Sequence, residues 1–270
     1  MNLRNYLLVT GAYWGFTLTD GALRMLVLLH FFNLGYSPVT LAFLFLLYEL
    51  CGIVTNLLGG WIASRMGLKI TLTAGLALQV AALGLLALLN PQWSEWLSVA
   101  WVMTSQALSG IAKDLTKMSA KSAIKVLVPP DAKGALFKWV AVLTGSKNAL
   151  KGVGFFLGAF LLAVAGFTGA LLIMAGVLAA IWIGASLALP SAMGKAKAKA
   201  GFKELFSRNR DINVLCIARF FLFGARDIWF VVGVPVFLRG GLGWSFSQVG
   251  AFMAFWVIGY GVIQGAAPLI

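Results

Sequence analysis

Eight stretches of this chain stay apolar for about the twenty residues that a helix needs to cross a bilayer, and that repetition constrains the fold more than any other feature. They run over Asn5–Phe32, Pro38–Ser64, Ile70–Leu89, Trp96–Ala120, Trp139–Ala165, Gly169–Leu189, Ile212–Leu238 and Ser247–Ile270. Lipid offers no partner to a backbone N–H or C=O, so each run reads as a helix that satisfies its own. No alternation of period two supports a β-barrel. Composition agrees: 61% of the residues are hydrophobic, mean hydropathy is +0.93 and only 11% are charged, against about 25% charged in soluble domains. The reading is an all-α membrane protein.

Several function classes fall away. The net charge of +13 sits in short connectors and inside the apolar runs rather than in a basic domain, so no nucleic acid is expected as a partner. Cys51 and Cys216 both lie within apolar runs and suggest neither a disulfide framework nor a metal site. No cofactor is implied. His30 is the only histidine, and no nucleophile–base set accompanies it, so an enzyme is not expected. His30 itself lies at the outer end of the first run and reads as an interfacial residue. The first run lacks an A-x-A-type processing site and is expected to stay on the protein.

The connectors alternate in charge. Arg65 and Lys69 follow the second run; Lys121, Lys125, Lys133 and Lys138 follow the fourth; Lys195, Lys197, Lys199, Lys203, Arg208 and Arg210 follow the sixth. Of the other connectors, Asn33–Ser37, Asn90–Glu95, Gly166–Thr168 and Arg239–Phe246, only the last holds a Lys or Arg, Arg239. The excess of Lys and Arg places the amino terminus and the basic connectors in the cytoplasm of a multi-pass protein of the cell inner membrane.

A pattern restarts after the long basic connector. Phe16-Thr-Leu-Thr-Asp20 is echoed by Phe223-Gly-Ala-Arg-Asp227, and Leu34-Gly-Tyr-Ser37 by Leu242-Gly-Trp-Ser245, at nearly one offset. A parallel six-span repeat has this form, and it is the arrangement of the two halves of major facilitator transporters. The expected architecture is a major facilitator fold with a six-helix bundle over 1–190, a cytoplasmic basic linker over 191–211 and the first two spans of a second bundle over 212–270. The last run breaks off at Ala267-Pro-Leu-Ile270, as in a partial chain lacking four further spans. The connector from Gly59 to Lys69 resembles the loop signature of that superfamily at Gly60, Arg65, Gly67 and Lys69. The resemblance implies a gating role for these residues, although Ser64 stands where an Asp is usual. Gly152, Gly154 and Gly158 in the fifth run should let a neighbouring helix approach closely.

Charge within the runs is selective. Asp20 and Arg24 lie in the first, Glu49 in the second, Lys113, Asp114 and Lys117 in the fourth, Lys147 and Lys151 in the fifth, and Arg219, Arg226 and Asp227 in the seventh; the third and sixth hold none. In a major facilitator bundle the third and sixth helices are the lipid-facing supports and the others line the cavity. Lys121 lies close enough to its helix end to snorkel, and Lys113 and Lys117 can do the same. Lys151 cannot, being about 18 Å from the end of its run at 1.5 Å per residue. A charge at midspan costs about 2.5–3.5 kcal/mol on insertion scales, so these groups should face water or one another.

Seven buried bases stand against four buried acids, Asp20, Glu49, Asp114 and Asp227, leaving a positive surplus. Spacing suggests local pairs, Asp20 with Arg24 and Asp114 with Lys117. Lys113 with Lys117, and Lys147 with Lys151, are like charges one turn apart, which an anion would bridge. The seven bases, Arg24, Lys113, Lys117, Lys147, Lys151, Arg219 and Arg226, are therefore candidate binding residues for a small anionic substrate. Asp20, Glu49, Asp114 and Asp227 are candidates for proton coupling or internal pairing.

Ser109–Lys125, Thr144–Gly158, Phe221–Arg239 and the opening Arg4–Phe31 resemble the organoarsenical efflux permeases, the ArsJ group. That resemblance implies export of 1-arseno-3-phosphoglycerate, a functional link to the glyceraldehyde-3-phosphate dehydrogenase that makes this ester from arsenate, and arsenate resistance. Trivalent arsenic would call for grouped thiolates instead. Another phosphorylated metabolite or organic anion fits the buried bases equally well. A proton-coupled drug antiporter would be expected to have an apolar or acidic cavity, and a non-transporting sensor a soluble signalling domain.

Overall fold

The computed structural model describes residues 3–127, 133–190 and 209–266, and every element among them is helical. Most of the basic linker, including Lys195 to Arg208, and the terminal Ala267–Ile270 lie outside the described residues. Among the described residues six helices are long and apolar enough to cross a membrane, one of them, Phe137–Ala188, being twice the usual length. It turns back at Gly166, where φ is +69°, a value that glycine adopts without steric cost, and so supplies the fifth and sixth spans. The fourth span, Glu95–Leu127, is a further long helix outside that apolar set.

The first span, Leu3–Asn33, is the most enclosed, with 78% of its apolar window buried. It lies along the fifth span through glycines. A Cβ at Gly21 would sit 2.6 Å from the Lys151 carbonyl oxygen, one at Gly154 2.5 Å from that of Leu18, and Gly158 abuts Ala22. Gly152 faces the eighth span, Phe246–Ala266, where a Cβ would meet the Ala254 carbonyl at 2.8 Å. All three glycines expected to admit a neighbour do so, but to two different helices. The seam with the eighth span continues through Gly145, Gly261 and Gly265, and an Asn148–Gln264 hydrogen bond crosses it.

Two spans depart from smooth helices, and a third begins on a glycine turn. The second is two pieces, Pro38–Leu44 and Leu46–Met66, broken at Phe45, whose N–H turns back to the carbonyls of Ala42 and Phe43. The third, Leu68–Ala87, starts directly after Gly67, at φ +88°. The seventh is α-helical over Arg210–Asp227, then widens into π turns at Ile228–Gly233 and Phe237–Gly241 on either side of Pro235. Proline removes a backbone donor, and wider winding absorbs the gap.

The sequence echo has a structural counterpart. Gly35 and Gly243 both take positive φ, +88° and +69°. Two residues on, Ser37 and Ser245 receive the N–H of Thr40 at 3.1 Å and of Gln248 at 3.3 Å, capping the second and eighth spans alike. Leu-Gly-aromatic-Ser is thus one turn used twice.

Candidate functional site

The charged residues of the first, second and fourth spans meet because two glycines let the second and fourth close on each other. A Cβ at Gly110 would collide with the Tyr48 backbone, and one at Gly52 would lie 2.9 Å from Asp114 Oδ2 and 3.3 Å from Lys113 Nζ. The fourth-span side chains therefore pass directly over the second span.

Arg24, whose side chain is 3% exposed, reaches across to Glu49. Lys113 Nζ lies 3.3 Å from the other Glu49 oxygen and 3.9 Å from Asp114 Oδ2. Lys117 pairs with Asp114 at i,i+3, as its spacing implied. The Tyr48 hydroxyl donates to Asp20 Oδ1 at 2.5 Å. The Arg24 guanidinium lies 4.2 Å and Lys113 Nζ 4.0 Å from the centroid of that same ring. The result is a network of three bases and three acids, which closes near neutrality. Burial of such pairs is tolerable only when each charge is matched.

Two sequence expectations need correction. The Arg24 guanidinium is directed at Glu49, twenty-five residues away, and the Asp20 carboxylate takes the Tyr48 hydroxyl, so the local Asp20–Arg24 pairing gives way to contacts between helices. Lys113 and Lys117 do not wait for an anion to bridge them, because Glu49 and Asp114 already neutralise both.

The other candidate bases lie elsewhere. With that network balanced, the remaining candidates are Lys147, Lys151, Arg219 and Arg226 against Asp227, whose side chain lies outside the described residues. Lys147 is half-buried and feels the charges of Lys151, Lys117 and Lys121, with Asp20 as the opposing one. Lys151 Nζ lies 5.8 Å from the Phe155 ring centroid. Lys121, read from sequence as a snorkelling residue, is half-buried and within electrostatic reach of Lys117, Arg219 and Asp114. It belongs to the basic group, and its i,i+4 spacing from Lys117 was the available signal. Arg219 and Arg226 are exposed on the seventh span, whose stretch Arg210–Asp227 packs little on the first six; its π-wound continuation instead meets the first piece of the second span.

Tyr48 carried no sequence signal, since an aromatic residue in an apolar run looks like any other. Two apolar hollows, about 510 Å³ lined by Glu95, Trp96, Val99, Ala100 and Met103 and about 260 Å³ around Leu7, Gly11 and Ile181, hold no basic residue. Neither is the place where the charges gather.

The residues of the connector signature are seated by local chemistry. Arg65 stacks over Trp61 at 4.6 Å, and Lys69 Nζ donates to the Leu189 carbonyl at 2.6 Å, closing the end of the sixth span. Gly67 makes the reversal, while Gly60 lies inside the second span, before the turn. At the opposite end His30 stacks on Phe167 with centroids 3.9 Å apart. Cys51 and Cys216 are free thiols, and among the described residues no cluster of metal-ligating side chains occurs.

Comparison with known proteins follows the same lines. A search of curated sequences returns no match. Among solved structures the chain is similar to a D-xylose-proton symporter, with a TM-score of 0.58 and 15% identity, over 98% of this chain and 66% of that one. The chain thus spans just under two thirds of that transporter's length, and at this identity the likeness is one of fold. The sequence profile described as Major Facilitator Superfamily matches residues 7–270, nearly the whole chain, and the chain belongs to that superfamily.

Proposed function

We propose that this chain exports a small organic polyanion from the cytoplasm across the cell inner membrane, and that its substrate is 1-arseno-3-phosphoglycerate. Membership of a transporter superfamily supplies the general activity. The observation that carries the anionic substrate is the placing of Lys147, half-buried at the fifth span among Lys151, Lys117 and Lys121, beside a network whose own charges are already matched. Like charges gathered in a low-dielectric setting are unfavourable until an anion joins them. A phosphate at one end of the substrate and an arsenate at the other suit two basic groups. We assign Lys147 and Lys151 to one end, and Arg219 and Arg226, with Lys121 within electrostatic reach of Arg219, to the other. Arginine offers a planar fork to such oxyanions and lysine a point charge.

The rest of the reading follows from the charge pattern. The amino terminus and the basic connectors face the cytoplasm. Asp20, Glu49, Asp114 and Asp227 together are assigned to proton coupling or internal pairing. The Arg65–Gly67–Lys69 connector, with Gly60 at its start, takes part in gating. The substrate identity rests on the resemblance to the organoarsenical efflux permeases, and with it the functional link to a glyceraldehyde-3-phosphate dehydrogenase.

The test is co-expression with that dehydrogenase in arsenate-sensitive cells. Intracellular arsenic should fall and growth on arsenate should recover, only when both proteins are present. Arsenic retention with both proteins correctly expressed would refute the arsenical substrate. Export of a phosphorylated metabolite in the same cells, without arsenic, would favour the broader reading of an organic-anion permease.

A further inference from the structure

Tyr48 occupies a position that neither transport nor charge pairing by itself explains. Its side chain is fully enclosed, yet it is touched on every polar side: the hydroxyl donates to Asp20, and the ring carries both Arg24 and Lys113 at about 4 Å. These two cations are also the ones that converge on Glu49, the next residue in the chain. Neighbouring residues on a helix point about 100° apart, so Tyr48 and Glu49 together offer each cation an aromatic face and a carboxylate at once. Gly52 and Gly110 clear the space in which Lys113 lies across the second span. An aromatic ring attracts a cation through its quadrupole, and the attraction grows where water is excluded. The hydrogen bond from its hydroxyl fixes the ring's orientation, so that Asp20 aims it.

We infer that Tyr48 is a positioning residue that holds Arg24 and Lys113 against Glu49, withholding these two bases from the transported anion and leaving the fifth-span lysines as its binding pair. The binding arm of the inference rests on the polyanion reading above; the positioning arm does not. Of the seven bases that sequence alone would offer to a substrate, Tyr48 thereby removes two.

The experiment uses the full-length protein in detergent, with 2,3-bisphosphoglycerate as a stable polyanionic probe titrated by calorimetry. Tyr48→Leu removes the ring and should tighten the probe about tenfold, the size expected when two cation–π contacts are lost and their cations become available. Tyr48→Phe keeps the ring but loses the hydroxyl that Asp20 aims, and should tighten the probe by clearly less than Tyr48→Leu does. An unchanged or weakened Kd in a folded Tyr48→Leu protein, or identical behaviour of Leu and Phe, would overturn the inference. A second readout is a thermal-unfolding cycle of Tyr48→Leu with Arg24→Met, where the two losses should sum to more than the double variant shows. Additive losses would also overturn the positioning role. Absence of probe binding by the parent would instead count against the polyanion reading, and the thermal cycle would still decide the role of Tyr48.

Discussion

The contact between Arg24 and Glu49 sets a quantitative expectation. Arg24 is almost wholly enclosed, with 3% of its side chain exposed, whereas Glu49 keeps 39%. Leaving one partner of a fully buried pair unmatched costs about 3–5 kcal/mol. Solvent reaching Glu49 lowers that, and Glu49→Gln retains an acceptor for the guanidinium, so about 2 kcal/mol is the expected loss. For a chain of this size 1 kcal/mol corresponds to about 2–4 °C, so Glu49→Gln should lower the unfolding midpoint by about 4–8 °C. Arg24→Met leaves Glu49 with Lys113 and should cost less, about 1–2 kcal/mol. The double variant removes both charges together. Its loss should fall short of the sum of the single losses by at least about 0.5 kcal/mol, the lower end of coupling between residues in contact. Tryptophan fluorescence during heating in detergent gives all four midpoints. Strict additivity would refute the claim that these residues neutralise one another.

Other expectations follow from the same geometry. Lys147→Met removes a charge surrounded by like charges, so the unfolding midpoint should hold or rise by a few degrees, where Lys117→Met, which strips Asp114 of its closest partner, should lower it. Gly110→Ala should cause a large loss of folded protein in membranes, because its Cβ would meet Tyr48 backbone atoms that cannot shift cheaply, whereas Gly11→Ala, with open space around it, should be neutral by the same expression assay. Lys69→Met removes the donor that closes the sixth span at Leu189 and should cost about 1 kcal/mol in thermal unfolding, with little change if that bond is not formed in lipid. Binding of 2,3-bisphosphoglycerate should weaken as salt rises from 0.05 to 0.5 M, a dependence that the Lys147→Met, Lys151→Met double variant should lose.

Much of this architecture was legible in the chain because lipid leaves the backbone few options. The apolar runs became helices at nearly their written positions, and the Leu-Gly-aromatic-Ser echo became one turn repeated. The break at Phe45 was not legible, since no proline or glycine marks it. Nor was the extension of the fourth helix to Leu127, where lysines replace apolar residues while helical hydrogen bonding continues. The site divided in the same way. Which residues were charged, and in which spans, could be read directly; who paired with whom could not. Spacing along one helix found Asp114–Lys117 but suggested Asp20 for Arg24, whose partner lies on another span. Contacts between helices depend on how their faces turn toward each other, and Tyr48 acquires meaning only when Asp20, Arg24 and Lys113 are seen around it.

Arsenic efflux from cells carrying this protein and the dehydrogenase, with and without Lys147→Met and Lys151→Met together, bears most directly on the role of the fifth span. Efflux should fall to the level of cells lacking the transporter, while the variant remains in the membrane at normal abundance. Undiminished efflux by that double variant would contradict the assignment of these two lysines to the anion.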